Sequence, residues 1–398
     1  MESSTALVPD ALARAASWSV EQSAERSPLN VVIMSWRDTG HPEGGGSEVY
    51  VERMAAAAAA HSHHVTLFCA AYPGARRAEE RDGYRIIRRG GHLTVYLWAS
   101  VLYLLGRFGR PDVVIDVQNG VPFGAALYCR RPRVLVLVHH VHREHWPVVF
   151  GPRRARLGWW VESWLAPRIC RHSDYLTVSE STRDELATLG VDTAAVRIVY
   201  NAVDPAPDDG LADPSTARSP HPSICVLGRL VPHKRVEIAL ECAARLVAEL
   251  PGLTVTVVGQ GWWEPRLREA AEELGIADSV EFTGWIDDAA KHRLLARSWV
   301  MALPSVKEGW GIVVLEAGQH GVPTVAFRGA GGLAESVLDG VTGILVDDTE
   351  SFTDAVRTLL VDAGLRDRLG ARAAERTASF DWRRSTEEFL RILEDVDR

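Results

Sequence analysis

Several features are scarce in this 398-residue sequence, and each scarcity excludes a class of protein. The cysteines are widely separated and form no C-x-x-C pair, which argues against a disulfide framework and a cysteine-based zinc site; they are Cys69, Cys129, Cys170, Cys225 and Cys242. Basic residues do not dominate, because 44 Lys and Arg stand against 52 Asp and Glu, a formal net charge of −8. A global electrostatic footprint for nucleic acid is therefore absent, and we expect no nucleic-acid partner.

Long apolar segments are lacking as well. The longest apolar run is 93–105, which is shorter than the roughly 18 residues that a membrane-spanning helix needs. Residues 1–27 contain Asp10, Glu21 and Glu25 and no apolar core, so we interpret them as a polar N-terminal extension and not as a signal peptide. These absences predict a cytoplasmic protein, with a peripheral position at the inner face of the plasma membrane left open.

The sequence is rich in short apolar runs that alternate with helical patterns. Such alternation is typical of parallel sheets whose strands are buried on both faces. A proline-rich, apolar-poor linker at 205–222 divides the alternation into two series. The first series predicts strands at Asn30–Ser35, Val65–Cys69, Arg85–Ile87, Val113–Val117, Val134–Val138, Tyr175–Val178 and Arg197–Tyr200. The second predicts strands at Ser223–Leu227, Val255–Val258, Val280–Phe282, Val300–Leu303, Thr324–Phe327 and Ile344–Val346.

The two series predict an α/β protein with two Rossmann-like, doubly wound domains facing an interdomain cleft. We place the first domain at 28–204 and the second at 223–378, followed by a C-terminal helix at 379–398. Open parallel sheets bind ligands beyond the carboxyl ends of their strands. Two such edges facing each other predict a site for two ligands.

The most informative motif spans 304–316, directly after a predicted strand. Gly309 and Gly311 stand where a helix should begin, and exposed amides at a helix start bind anions. Glu308 precedes this turn and Glu316 lies eight residues later, so both carboxylates can face one cleft and accept hydrogen bonds from sugar hydroxyls. The alternative is a helix-start Glu308 and a solvated Glu316.

Basic residues stand after the first strand of the second series. Gly228, Arg229 and Lys234 follow that strand, and an Arg fork with a Lys point charge suits a diphosphate. Solvated residues opening a helix are the alternative. Further on, Gly331-Gly332 precedes Glu335, which fits either a close backbone approach to a ligand or a simple turn.

The first series carries its own glycine-rich turn, Gly44-Gly45-Gly46, after strand Asn30–Ser35. Val49 occupies the third position of a dinucleotide fingerprint, and no acidic residue ends the second strand, so nicotinamide chemistry is disfavoured. The strand Val134–Val138 leads into four histidines within seven residues, which are His139, His140, His142 and His145. A histidine at the end of this strand should lie in the cleft. No carboxylate or cysteine pattern accompanies the histidines, so we predict no metal site.

The order of these motifs resembles that of a known group. GRL-x3-K, Gly259-Gln-Gly261, PS-x2-EGWG, Glu-x7-Glu, GVPTVA, GG-x2-E and DGVTGILV together resemble the retaining GT-B glycosyltransferases of family 4, from about residue 28 onward. The resemblance implies the GT-B fold, with the C-terminal helix crossing back to the first domain. It also implies a nucleotide-diphosphate hexose donor of the GDP-mannose or UDP-hexose type, a hydroxyl acceptor and no cofactor or metal. Ala202 and Ser62 replace glycines that are usual in the family.

The resemblance also implies roles for individual residues. Arg229 and Lys234 would contact the donor diphosphate, Glu316 the ribose and Glu308 the transferred sugar. His139 would lie near the reaction centre, with His140 as a close competitor. Further donor-binding positions are implied at Gly45, Gly46, Gly228, Gly309, Trp310, Gly311 and Ile312. The acceptor-side candidates are His140 and His142.

Two questions stay open from the sequence. A nucleotide-sugar 2-epimerase or a non-catalytic glycan-binding protein could share the architecture. The basic and aromatic stretch at 153–171 fits either docking on an anionic membrane, which would suit a cell-envelope lipid or glycan acceptor, or an amphipathic helix that packs its tryptophans into the first domain. We favour the packing interpretation.

Overall fold

The computed structural model describes residues 27–206 and 218–395. Nearly all of the predicted N-terminal extension and most of the predicted linker lie outside these residues. Within them, two sheets form two α/β domains, as the sequence predicts. Ser62 adopts a positive φ of 69°, the conformation for which a glycine is usual at that position.

The N-terminal domain is built on an eight-stranded sheet with strand order β3-β4-β2-β1-β5-β6-β7-β8. Its strands are β1 Asn30–Met34, β2 His64–Cys69, β3 Ala78–Arg81, β4 Tyr84–Arg88, β5 Val113–Gln118, β6 Arg133–Val138, β7 Asp174–Thr177 and β8 Val196–Ile198. All neighbours pair in parallel except β3 and β4. Strand β3 is not predicted from the sequence, because this charged edge strand has no apolar run. The Asp82-Gly83 turn that joins it to β4 has positive φ at both residues and is a hairpin signal.

The C-terminal domain is built on a six-stranded, all-parallel sheet with strand order β11-β10-β9-β12-β13-β14. Its strands are β9 Ser223–Leu227, β10 Thr254–Val258, β11 Val280–Gly284, β12 Val300–Leu303, β13 Thr324–Phe327 and β14 Gly343–Val346. The six strands that the sequence predicts here are all present. The central strands β9, β12 and β13 are apolar runs buried on both faces, whereas the edge strand β11 alternates apolar residues with Glu281 and Thr283 and is only partly buried.

Helices cover both faces of the two sheets. In the N-terminal domain they are α1 Gly46–Ala60, α2 Thr94–Leu104, α3 Ala125–Tyr128, α4 His145–Val149, α5 Pro152–Trp160, α6 Ala166–Ile169 and α7 Glu180–Thr188, with a π-helical turn at Val161–Leu165. The helices that follow the N-terminal domain in the chain are α8 Val236–Leu246, α9 Glu264–Glu273, α10 Asp288–Arg297, α11 Ile312–Gln319, α12 Leu333–Ser336, α13 Thr349–Val361, α14 Ala363–Thr377 and α15 Trp382–Glu394. Short 3-10 turns occur at Thr193–Ala195, Pro232–Lys234 and Ala277–Ser279. None of the helices in the described ranges has the length and apolar character that a membrane crossing requires.

The chain crosses between the domains twice. The last helix, α15, packs on α1, and its Phe389 and Leu393 are buried in the core of the N-terminal domain. The two connecting segments pair with each other, since the Val203 amide donates to the Phe380 carbonyl at 3.3 Å and Val203 forms a parallel bridge with Asp381. The domains are therefore joined by a two-stranded connection.

The predicted motifs follow strands at the switch points of the two sheets. In the N-terminal sheet the order reverses between β1 and β5, and the glycine-rich turn follows β1. In the C-terminal sheet it reverses between β9 and β12, which are followed by the Arg229–Lys234 and Glu308–Gly311 segments. Doubly wound sheets bind ligands at such points.

Candidate active site

Two helix N-termini meet across the cleft. Helix α1 begins at Gly46, and α11 begins at Ile312 after Gly311, whose φ of 85° is readily adopted only by glycine. Helix α11 therefore begins slightly later than the position predicted from the sequence, Gly309–Gly311. A Cβ on Gly46 would lie 2.9 Å from Cδ1 of Ile312, so the two helix starts are in contact. Together they direct amides and the positive ends of two dipoles toward one region, which suits a polyanionic ligand.

A lysine–glutamate ion pair lies on the C-terminal side of this region. Lys234, at the end of the 3-10 turn after β9, pairs with Oε1 of Glu308, which also accepts a hydrogen bond from the Ser305 hydroxyl at 2.7 Å. Burial raises the pKa of Glu308, but Lys234 and Ser305 outweigh burial and hold it below its ordinary value. The structure thus brings the two residues into direct contact, with Glu308 ionised.

Arg229 faces the N-terminal domain. Its Nη1 donates to the carbonyl of Glu43 at 3.3 Å, and its Nε would lie 3.5 Å from a Cβ on Gly45. Burial, followed by the nearby Arg37, lowers the pKa of Arg229. A cation in such a position, beside the glycine-rich turn, is well placed for an anionic ligand.

The structure does not pair Glu308 with Glu316. Glu316, on α11, has its own partner, because Lys291 Nζ lies 2.6 Å from its Oε1. Both carboxylates are partly exposed and both face a lysine. Their arrangement therefore suits the recognition of hydroxyl groups better than it suits a pair of carboxylates that react together.

The donor-binding role implied for Trp310 concerns the backbone amides of its segment and stays a prediction, whereas the structure shows where its side chain packs. Its side chain is buried in the core of the N-terminal domain, with ring centroids 4.9 Å from Tyr200 and 5.2 Å from Phe380. Only its backbone stays in the Glu308–Ile312 segment. The apolar environment of Tyr200 and Phe380 accounts for this placement, and Trp310 anchors the segment to the other domain.

His139 lies at the end of β6, where the two domains touch. Its ring is buried edge-on against Tyr50 at 5.3 Å, and burial lowers its pKa to about 4, so it is neutral near pH 7. Its carbonyl accepts a hydrogen bond from the Thr182 hydroxyl at 3.2 Å. A Cβ on Gly309 would lie only 2.4 Å from this carbonyl oxygen, so only glycine fits opposite His139.

His140, His142 and His145 form a compact cluster, with one ring nitrogen from each lying within 4.8 Å of the others. The structure adds two residues that the sequence analysis did not connect with them. Glu162 accepts from His142 Nδ1 at 2.9 Å, and the His233 ring lies 4.3 Å from that of His145. The statement that no carboxylate accompanies these histidines was therefore wrong. Glu162 is 17 residues further along, on the π-helical turn, and only the fold brings it close.

Glu335 connects the two domains. Its carboxylate accepts backbone hydrogen bonds from Glu180 at 2.9 Å and Ser181 at 2.6 Å, at the start of α7 in the N-terminal domain. Lys307 forms an ion pair with Glu185 on the same helix. The motif GG-x2-E gave Glu335 as a candidate, but its partners in the other domain could not be read from its spacing.

Comparisons with known proteins agree with this geometry. The family model "Glycosyl transferases group 1" matches residues 212–376, and "Glycosyltransferase Family 4" matches residues 44–207. The chain is 31% identical over 358 residues to a GDP-mannose-dependent alpha-(1-6)-phosphatidylinositol monomannoside mannosyltransferase of Mycolicibacterium smegmatis, covering 81% of this chain and 87% of that protein. It is also 34% identical over 230 residues to a glycogen synthase of Mycobacterium tuberculosis, covering 56% of this chain and 53% of that protein.

Solved structures share the fold at lower identity. Sucrose-phosphate synthase from Thermosynechococcus elongatus is similar with a TM-score of 0.78 at 20% identity, covering 93% of this chain and 99% of that one. WaaG, a glycosyltransferase involved in lipopolysaccharide biosynthesis, is similar with a TM-score of 0.70 at 18% identity, covering 90% of this chain and 98% of that one.

Proposed function

Because the chain belongs to glycosyltransferase family 4 and has the GT-B fold, we propose that it is a retaining hexosyltransferase that uses a nucleotide-diphosphate hexose. The observation that carries the proposal is the convergence of the starts of α1 and α11 beside Arg229 and Lys234. Two helix dipoles and two cations are the complement of a diphosphate.

We assign the donor to the C-terminal side of the cleft. Arg229 and Lys234 bind the diphosphate, and Glu316 binds the ribose hydroxyls. Both contacts to Glu308 fall on Oε1, so we assign its Oε2 to a hydroxyl of the transferred sugar. The M. smegmatis relative is named as GDP-mannose-dependent, and we therefore propose GDP-mannose as the first donor to test.

We propose that the donor and the acceptor react on the same face of the sugar. The acceptor oxygen bonds to the anomeric carbon while the bond from that carbon to the leaving diphosphate oxygen breaks, and this diphosphate oxygen takes the proton of the acceptor hydroxyl. Arg229 and Lys234 stabilise the negative charge that grows on the diphosphate, so this step needs no metal ion from the solvent. The ion pairs of Glu308 and Glu316 support this route, since each carboxylate is already engaged by a lysine.

We propose that the acceptor is a hydroxyl on a lipid-linked or glycan substrate. The relative acts on phosphatidylinositol monomannoside, a lipid that carries a sugar, as its name states. His140 and His142 follow β6 of the N-terminal domain, whereas Arg229 and Lys234 follow β9 of the C-terminal domain, and we assign the acceptor to the side of the histidines. Closure by Glu335 and Lys307 would exclude water from the donor.

The stretch at 153–171 supports a contact with the membrane surface. Trp160 and Trp164 stack with ring centroids 5.2 Å apart and are 46% and 45% exposed, and Arg168 lies over the Trp164 ring. Trp159 instead packs against the core, so the packing interpretation describes only part of the stretch. Exposed tryptophans beside basic residues suit the interface of an anionic bilayer.

Donor binding and transfer are tested separately. GDP, UDP, GDP-mannose and UDP-glucose are added to the protein in a thermal-shift assay, where a ligand at 100 times its Kd stabilises by about 2.7 kcal/mol. Transfer is then measured with GDP-mannose and phosphatidylinositol monomannoside in detergent micelles, and the anomeric linkage of the product is determined by NMR. An α-linked product from the α-configured donor is expected. A β-linked product would overturn the retaining route. If none of the nucleotides stabilises the protein, the donor site would be overturned.

Membrane contact is tested by sedimentation with phosphatidylcholine vesicles containing 30% phosphatidylglycerol. The variant Trp160→Ser/Trp164→Ser should bind at least fivefold more weakly than the unmodified protein. Trp285→Ser is the matched control, because Trp285 is 71% exposed but lies on the C-terminal domain. Equal losses in both variants would contradict the assignment to 153–171.

A further inference from the structure

The cluster of His140, His142 and His145 has the dimensions of a metal site. Zinc–nitrogen bonds of about 2.0–2.1 Å at tetrahedral angles place ligand nitrogens about 3.4 Å apart. His140 Nε2 and His145 Nδ1 are already 3.1 Å apart, and one ring nitrogen from each of the three residues lies within 4.8 Å of the others. Small side-chain movements therefore bring three nitrogens to coordination distance.

A buried carboxylate orients the ring of His142. His142 Nδ1 donates to Oε1 of Glu162 at 2.9 Å, which leaves Nε2 as the nitrogen available for a metal. Glu162 is 1% exposed and is held by the Trp146 indole at 2.7 Å and by the His142 amide at 2.9 Å. A carboxylate behind a ligating histidine is the common outer arrangement of zinc sites, and it fixes the tautomer of the ring.

The histidine cluster also borders the other domain. The His145 ring lies 4.3 Å from that of His233, which precedes Lys234 in the 3-10 turn after β9. A metal held by three histidines keeps a fourth position for water or another ligand. An ion at this place would add two positive charges at the boundary between the acceptor side and the diphosphate side.

We propose that His140, His142 and His145 form a binding site for a divalent transition-metal ion of the Zn²⁺ type. Three imidazoles favour Zn²⁺, Co²⁺, Ni²⁺ and Cu²⁺ over Mg²⁺, which prefers oxygen ligands. The ion takes no part in the transfer step, which uses Arg229 and Lys234. We expect bound Zn²⁺ to inhibit transfer by occupying the acceptor side, and this second statement alone rests on the proposed function.

Metal binding is measured on tag-free, full-length protein without a sugar nucleotide. After chelation and dialysis, Co²⁺ is added and the visible spectrum is recorded, because tetrahedral cobalt gives intense bands that octahedral cobalt in water lacks. One tight Co²⁺ per chain is expected, displaced by Zn²⁺. His142→Ala should lose the bands, and Glu162→Gln should weaken binding by about 10–100-fold. His61→Ala is the control, since this exposed histidine lies outside the cluster.

The outcomes separate the site from the activity. Anomalous diffraction from Zn²⁺-soaked crystals of the unmodified chain should show an ion between the three rings, so the test does not depend on the folding of any variant. Co²⁺ bands that persist in His142→Ala, or an anomalous peak elsewhere only, would overturn the proposal. Zn²⁺ binding at the site without inhibition would refute the effect on transfer alone. Loss of transfer in an EDTA-treated protein would contradict the metal-free step and not the site.

Discussion

The Lys234–Glu308 ion pair allows stability and catalysis to be separated. Lys234→Ala leaves the carboxylate of Glu308 largely enclosed, with Ser305 as its remaining hydrogen-bond donor in this contact. The two side chains are 18% and 13% exposed. Removing one partner of a buried pair costs about 3–5 kcal/mol, and the residual exposure places this loss near the lower end, at about 3 kcal/mol.

The pH dependence of this loss has a definite sign. In the unmodified protein the pKa of Glu308 is below its ordinary value, so the pair contributes stability above pH 4.5 that is lost as the pH falls below it. Without Lys234, burial becomes the dominant influence and raises the pKa of Glu308. The folded variant then takes up a proton more readily than the unfolded chain, and the stability difference from the unmodified protein should shrink between pH 7.5 and 5.5.

Urea unfolding at these two pH values measures the loss, and transfer from GDP-mannose measures the activity. The double variant Lys234→Ala/Glu308→Gln should recover most of the stability, because no charge is left buried, yet remain at least 100-fold lower in kcat/KM. Arg372→Ala is the stability control, since Arg372 and Glu375 form an exposed pair worth at most about 1 kcal/mol. A Lys234→Ala variant as stable as the control would contradict the energetic role of the ion pair, and a double variant with normal turnover would contradict the catalytic role of Lys234.

Three further predictions concern the contacts between the domains. Gly309→Ala should lower kcat/KM at least tenfold, because the new Cβ would lie 2.4 Å from the His139 carbonyl oxygen and force the domains apart. His139→Gln should make the free energy of unfolding less sensitive to acid. The pKa of His139 is lowered from 6.5 to about 4 in the folded chain, so its contribution to the free energy of unfolding falls by about 2 kcal/mol between pH 7 and 5. Glu335→Ala should lower the free energy of unfolding by about 1–2 kcal/mol, through loss of its hydrogen bonds to the start of α7.

Each of these predictions has a direct check. Steady-state transfer assays compare Gly309→Ala with Gly329→Ala, where a Cβ meets nothing within 4 Å, and equal rates would contradict the steric argument. Urea titrations from pH 7 to 5 give the free energy of unfolding at each pH. This free energy should change less with pH in His139→Gln than in the unmodified chain. For Glu335→Ala, Glu350→Ala in the first turn of α13 serves as the comparison, and an equal change in both would indicate no interdomain contribution.

The sequence was sufficient for the parallel strands because each contains apolar residues between helical patterns, even where charged residues interrupt them, as in Tyr84–Arg88 and Val280–Gly284. It failed for β3, whose charged residues form an edge and whose only signal was the Asp82-Gly83 turn. Motif spacing identified Lys234 and Glu308 separately, but their ion pair depends on the turns after two different strands.

The side-chain contacts that the sequence could not reveal depend on long-range packing. Glu162 meets His142 only because a π-helical turn presents it to the loop after β6. Trp310 lies in a motif whose spacing suggests ligand binding, yet Tyr200 and Phe380 of distant segments enclose its side chain. No local pattern reports such partners.

The paired crossover at Val203 and Asp381 restricts how the two domains can move relative to each other. One connecting segment would allow one domain to rotate freely about it, whereas two segments bonded side by side can bend together but resist twisting. We therefore expect the two domains to open and close along a single path. A donor that is released on opening would then leave the cleft by the route through which it entered.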